Sequence, residues 1–530
     1  MEPKNFVSED ELQLGLRYLI KDGAASQSMA ILTGGAFLVA FAVSLGASNF
    51  VIGLLAAIGP LSQLLQLPAV LLVEKVRNRR LITIVAAGTS RMCWVIIALG
   101  AILFEARTGI WILLVFLAVL SAFSSTAGCS WNSWMRDLVP DKILGSYFSK
   151  RMTISVGVGI IVSLVAAVFL DFWGDAFPER EVEGYSLLLA VGAGIGFLGL
   201  YYLSRVPEPR LPASEGHKRI WRLLSRPFYD GNYRKLIAFM GSWNFAVNLA
   251  APFFMVYMLK RLGLSMSLII VLSIVSQVMH FLFLRLWGKY TDRFSNKSVL
   301  AISGPLFILS IMAWTFTTLP ERYFLTIPLL FAIHVVMGVA GAGVTLASGN
   351  ISLKLAPKGE ATAYLATNTV VNSIAAGIAP ILGGKLADFL EGRELSWTLR
   401  FTSPEGVHSL TTMNLKQWDF FFVLAFLFGL LSLYRLKKVK EEGEVDERIV
   451  AQEFLSEVMG QVRTLSSAEG VRQMVSFPLL AVKYITERMA GDGGKAQEQQ
   501  GESEGGIGTG DADIRGGEAC GASSDNGDGL

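Results

Sequence analysis

Twelve stretches of this chain are too long and too apolar to be held in water, and no other feature constrains its fold as tightly. They fall near residues 24–46, 50–73, 81–104, 110–133, 149–172, 185–204, 235–258, 263–287, 298–317, 324–349, 362–388 and 418–435. Each has about the 20 residues that a helix rising 1.5 Å per residue needs to cross a bilayer. Of all residues 52% are apolar and 17% charged, where a soluble domain carries about a quarter charged. The expected fold is an all-α integral membrane protein with twelve transmembrane helices.

The turn Gly288-Lys-Tyr-Thr-Asp292-Arg293-Phe-Ser-Asn296-Lys297 separates two of these runs. Moving back 218 residues puts Glu74 under Asp292, Lys75 under Arg293, Asn78 under Asn296 and Arg79 under Lys297. Leu138-Val-Pro140 with Tyr147 recurs 217 residues later as Leu355-Ala-Pro357 with Tyr364, and Asp171-Phe172 as Asp388-Phe389. Such matches at nearly one offset imply an internal duplication, a six-span unit used twice.

Lys and Arg in the short connections crowd onto one side, around 75–80, 136–151, 205–235 and 289–297. That side is expected to be cytoplasmic, with both termini inside a plasma membrane. The chain divides into a lead-in (1–23), a first half (24–204), a linker (205–234), a second half (235–437), amphipathic cytoplasmic helices (438–489) and a Gly-rich disordered tail (490–530). Within the linker a basic amphipathic piece around Ile220–Leu224 suits the inner leaflet. The net charge of +3 suggests no nucleic-acid partner, and three unpaired cysteines suggest neither disulfide nor structural metal.

Twelve spans, a long central linker and Gly-x-x-x-Asp-Arg-x-x-x-Lys after span eight together resemble the major facilitator superfamily of secondary transporters. The signature turn is carried by Gly288, Asp292, Arg293 and Lys297; in the first half Val70 and Glu74 replace the glycine and aspartate, followed by Lys75 and Arg79. The resemblance implies two pseudo-symmetric six-helix halves and a cytoplasmic gate formed by these turn residues. It implies alternating access of one site between the halves.

Polar residues inside the spans are the candidates for a substrate cavity. Arg91 sits deep in span three, where it would attract an anion or pin a neighbouring helix through its carbonyls. His334 lies inside span ten. Asn244 with Asn248, and Asn368 with Asn372, share helix faces at i+4; Gln63 and Gln66 are i+3 neighbours. Trp131, Trp134 and Trp243 offer stacking surfaces or interfacial anchors. No Asp or Glu falls deep within any predicted span, so no carboxylate relay is visible. The small-residue string Gly377-Ile-Ala-Pro380-Ile-Leu-Gly383-Gly384 should allow close helix contact.

The expected function is secondary active or facilitative transport of a small solute by a monomer, with a coupling proton among its partners and no cofactor. No nucleotide-binding loop, nucleophile–base pair or metal cluster points to an enzyme. The alternative is a transporter-derived sensor signalling through the C-terminal tail.

Overall fold

The computed structural model describes residues 7–140, 143–210, 225–318, 323–357, 361–403, 406–443, 445, 449–450, 452–454 and 456–457. The basic piece at Ile220–Leu224 and the Gly-rich tail lie outside them, as does the part from 458 onward of the amphipathic helices expected over 438–489; at the start of that stretch residues 438–443 are not helical.

Among the described residues twelve helices are long and apolar enough to cross a membrane: span 1 (Glu9–Ser44), span 2 (Asn49–Val76), span 3 (Arg79–Leu103), span 4 (Ala106–Leu138), span 5 (Leu144–Ala176), span 6 (Pro178–Leu203), span 7 (Gly231–Arg261), span 8 (Met266–Arg293), span 9 (Asn296–Thr317), span 10 (Thr326–Lys354), span 11 (Ala363–Phe389) and span 12 (Trp418–Leu436).

Span 1 begins fifteen residues before the apolar run at 24. The Ser8 hydroxyl accepts from Glu11 N–H, and Glu9, Asp10 and Glu11 place negative charge on the open N–H groups of the first turn. Residues 9–23, expected as a lead-in, are therefore helical. The charged turn also shrinks: span 8 runs through Asp292 and Arg293, and span 9 starts at Asn296 with the Ser295 hydroxyl accepting from Ser298 N–H at 3.0 Å. Hydropathy ends a span at the first charges, whereas hydrogen bonds carry a helix on into the headgroup layer.

Span 1 is broken midway at Gly34 and Gly35. Gly35 has φ +53°, a conformation that glycine adopts without a side-chain clash. A second departure is an antiparallel hairpin, β1 (Glu394–Ser403) with β2 (Gly406–Lys416), between spans 11 and 12. Its base is closed by Lys416 and Glu394, 3.5 Å apart. The all-α expectation passed over these strands, although Leu395, Trp397, Leu399 and Phe401 alternate along the sequence ahead of Ser403-Pro-Glu-Gly406.

The two halves pack internally in matching ways. Span 1 lies on spans 5 and 6 and span 3 on spans 4 and 6; span 7 lies on spans 11 and 12 and span 9 on spans 10 and 12. This is the two-fold six-helix arrangement that the duplication implies. The halves meet along two seams, span 2 on span 11 and span 5 on span 8.

Glycines set the closeness of the first seam. A Cβ on Gly53 would lie 2.1 Å from Pro380 O, one on Gly384 2.3 Å from Asn49 O, and one on Gly377 2.4 Å from the Leu61 side chain. The string at 377–384 thus lets two backbones touch across the halves. Gly53→Leu should destabilise this packing by about 1–3 kcal/mol through overpacking. Gly59→Leu on the same helix, where a Cβ meets nothing within 4 Å, should be near neutral. Thermal unfolding of both variants in one detergent checks this; equal melting temperatures would contradict the seam.

Candidate functional site: a cleft between the halves

At the face opposite the N-terminus, each seam is fastened by a carboxylate seated on a helix start. Asp388, near the end of span 11, accepts from Asn49 N–H at 3.0 Å, Asn49 Nδ2 at 2.9 Å and Phe50 N–H at 2.9 Å, all at the start of span 2. Asp171 on span 5 accepts from Met266 N–H at 2.8 Å and Ser267 N–H at 2.9 Å at the start of span 8. Each bond crosses from one half to the other. The first N–H groups of a helix lack intrahelical partners and carry the positive end of its dipole, so a carboxylate there gains both hydrogen bonds and charge.

The N-terminal face uses the same chemistry within each half. Glu208, just past span 6, accepts from Arg79 N–H at 2.6 Å and Arg80 N–H at 3.2 Å at the start of span 3. The Arg79 side chain is fully buried against Asp137, Glu208 and the carbonyls of Ser133 and Pro209. In the second half Glu441, past span 12, accepts from Lys297 N–H at 2.7 Å and Asn296 Nδ2 at 2.8 Å, with Lys354 Nζ 3.0 Å away. Lys297 is likewise buried.

Other members of the signature turn are placed differently. Asp292 and Arg293 are exposed at the end of span 8, Arg293 resting over the Phe294 ring at 5.1 Å. Glu74 is half-buried and Lys75 exposed at the end of span 2, and a Cβ added at Gly288 would meet Leu346 at 3.9 Å, so no close approach requires a glycine there. None of the hydrogen bonds described for Arg79 or Lys297 leaves its own half.

Three cavities adjoin, two of them between the halves and one within the first half. The middle one, about 300 Å³, lies among spans 1, 5 and 8 and shares Gln27 and Val156 with a cavity of about 700 Å³ nearer the N-terminal face. It shares Gly35, Ala36, Ser273 and Gln277 with a third of about 540 Å³ under the fastened face, walled by Phe254, Trp314 and His334. The middle cavity thus shares walls with both of the others. The cavity nearer the N-terminal face carries Arg136, Arg151 and Trp131, with the Arg151 guanidinium 5.0 Å from the Trp131 ring centre.

Of the residues singled out as cavity candidates, His334 stands in these walls. Arg91 is buried between helices, where Nε donates to Gly196 O at 2.6 Å and a terminal nitrogen to Ala87 O at 3.0 Å, tying span 3 to span 6. Asn244 and Asn248 donate to backbone carbonyls one turn back, Met240 O and Asn244 O. Asn368 Nδ2 donates to Ser352 Oγ at 3.0 Å, joining spans 10 and 11, and the Oδ1 of its neighbour Asn372 is buried without a partner. Gln66 donates to Gln63 at the break after Pro60. Trp134 is fully buried, donating to Pro207 O at 2.9 Å, which removes it from any interface. Because span 1 starts early, it holds a carboxylate after all. Asp22 is buried, accepts from Ser26 Oγ at 3.1 Å and faces Arg151 at 3.5 Å. Asp171 and Asp388 were visible in sequence only as a repeat without a role.

Replacing Asp171 and Asp388 together by Asn removes two charges from two helix starts, each worth about 0.3–2 kcal/mol. In a cysteine-free background carrying Leu55→Cys in the third cavity, a membrane-impermeant maleimide added at the fastened face should label roughly tenfold faster. An unchanged rate would show that these carboxylates do not hold that face shut.

Residues 23–333 and 245–482 match the model of the Major Facilitator Superfamily. A relative from Aspergillus terreus, described as an MFS-type transporter, is 28% identical over 119 residues, 22% of this chain and 20% of that protein. Among solved structures the chain is similar to the nucleoside transporter NupG, at 13% identity over 81% of this chain and all of that one, with a TM-score of 0.59. The D-xylose-proton symporter aligns at 16% identity over 81% of this chain and 98% of that one, with a TM-score of 0.56. A bacterial homologue of the lysosomal transporter Spinster, inward-facing and unoccupied, aligns at 16% identity over 82% and 100%, with a TM-score of 0.53. At such identities these structures speak for the fold, and the family match covers most of the chain: this membrane protein belongs to the Major Facilitator Superfamily.

Proposed function

We propose that this chain carries a small solute across the plasma membrane by alternating access of the cleft between its halves, with both termini in the cytoplasm. The observation that carries this reading is the asymmetry of the fastenings. Among the described residues Asp171 and Asp388 bridge the halves at one face, while at the other the signature residues Asp292 and Arg293 are exposed and Arg136 and Arg151 line a cavity of the first half that adjoins the space between the halves. The state is then closed outside and open inside, the face richer in Lys and Arg being the inner one.

Rocking one half on the other would break the two outer carboxylate caps and bring the inner ends of spans 2 and 8 against the opposite half. Asp292 and Glu74 would then find helix starts of their own, the gate role that the family resemblance implies for them. The clusters around Arg79 and Lys297 would move as rigid ends within their halves. The sensor alternative rested on the C-terminal helices and tail, residues 438–530, of which nothing beyond 457 falls among the described residues.

The test uses spin-label pairs in nanodiscs: Phe177→Cys with Phe324→Cys for the outer face and Ser149→Cys with Lys289→Cys for the inner. All four positions are exposed, and each pair spans the halves. A solute that accumulates in proteoliposome counterflow should lengthen the outer distance while shortening the inner one. Distances that shift in the same direction, or stay fixed while the solute is carried, would overturn alternating access.

A further inference from the structure

Resting on the transport reading, we infer that the third cavity is a substrate site for an uncharged, ring-bearing solute whose polar edge presents an acceptor beside a donor, as an amide or a hydroxylated ring does. Four observations converge on it.

The first is an orphan donor. Trp314 is 1% exposed, stands in the cavity wall, and its Nε1–H is buried without a hydrogen-bond partner. A buried indole N–H nearly always has an acceptor, since it gave up water to be there. A solute acceptor would complete it.

The second is the neighbouring imidazole. The His334 ring centre is 5.6 Å from that of Trp314, and Nδ1 lies 2.8 Å from Leu330 O. A carbonyl oxygen only accepts, so Nδ1 carries the hydrogen and Nε2 of the neutral ring is left as an acceptor. Trp314 and His334 together offer one donor and one acceptor side by side. Gln277, exposed on span 8, adds an amide of both kinds from the facing wall.

The third is the shape and polarity of the walls. Phe254 stacks on Trp314 with ring centres 4.6 Å apart and planes 19° from parallel, giving a flat aromatic floor. Met255, Met258 and Met337 supply soft, adaptable surface around it. Among the described residues no Asp, Glu, Lys or Arg lines this cavity or the middle one. An ion seated there would lose its water and meet no counter-charge, which selects against charged substrates. The arginines stand nearer the inner face, and Arg151 already answers Asp22.

The fourth is position. The break in span 1 at Gly35 forms part of the wall, as interrupted helices do at midplane sites of transporters. Ser273 and Gln277 lie 7 and 11 residues inward of Met266, roughly 10 and 16 Å below the outer fastening.

The full-length protein in nanodiscs is titrated calorimetrically with matched probes: nicotinamide against nicotinate, uracil against orotate, phenyl glucoside against benzylamine, and sorbitol as a polyol without a ring. The uncharged ring solutes should include binders, while the charged partners and sorbitol bind at least tenfold more weakly. Trp314→Phe keeps the aromatic floor and removes the N–H; binding should weaken roughly three- to tenfold, the worth of one hydrogen bond. Its melting temperature without ligand should hold or rise, because a buried unpaired donor has gone. A merely structural Trp314 would lower the melting temperature and leave the affinity of the folded fraction unchanged. His334→Gln, which keeps an acceptor, should bind better than His334→Ala.

Binding confined to the charged probes or sorbitol, no binding by any uncharged ring probe, or full affinity in Trp314→Phe overturns the site. Transport is scored separately. Binding that follows the predicted pattern without counterflow would leave the site standing and fail the carrier reading; counterflow of charged solutes alone would do the reverse.

Discussion

A carboxylate seated on the open N–H groups of a transmembrane helix start is the interaction on which this structure depends, and it occurs at four related places. Asp388 caps span 2, Asp171 caps span 8, Glu208 caps span 3 and Glu441 caps span 9. Every helix start leaves unpaired donors and a positive dipole end, and near a bilayer few other groups can answer them. The duplication supplied each solution twice. What differs is where the carboxylate comes from: at the face opposite the N-terminus from the opposite half, at the N-terminal face from the segment that directly follows the same half. The first pair therefore joins the two halves, while the second ties each half to the segment after it. At about 0.3–2 kcal/mol per charge, each such cap adds a modest contribution to the packing it joins.

Packing divides the labour in the same way. Along the seam of spans 2 and 11, Gly53, Gly377 and Gly384 bring backbone to backbone, leaving little but dispersion and the Asp388 cap to hold the surfaces together. Within the halves the contacts are less reversible. Arg79 is wholly buried among carboxylates and carbonyls, and Arg91 spends its guanidinium on Gly196 and Ala87 carbonyls. A buried charge so fully engaged cannot be released without large cost, which suits a rigid body. Among the described residues the walls of the two deeper cavities carry no Asp, Glu, Lys or Arg and offer hydrogen-bonding groups and aromatic surface.

The number of spans and the two-fold repeat were legible along the chain, because hydropathy and offset are properties of neighbouring residues. Site residues were legible only in part. His334 is in the cleft, but the i+4 amides Asn244 and Asn248 turn back to their own helix, as short amides can whenever a carbonyl lies one turn away. Asp22 was hidden because an apolar window discards the polar first turns of span 1, although Ser8 and the acids after it were a readable helix start. The 394–416 hairpin was hidden because two short alternating strands weigh little beside twelve long apolar runs.

The sequence by itself determined that this chain crosses a membrane, how many times, and that it does so as a doubled unit, since burying about 20 apolar residues in lipid is a local demand that each run meets alone. The tertiary structure alone decided which side chains face one another. Asp171 meets a helix start 95 residues away and Asp388 one 338 residues away, and Trp314 stands beside His334 with its N–H unanswered. Those meetings depend on how helices tilt and turn against each other, and no spacing along the chain encodes the angle.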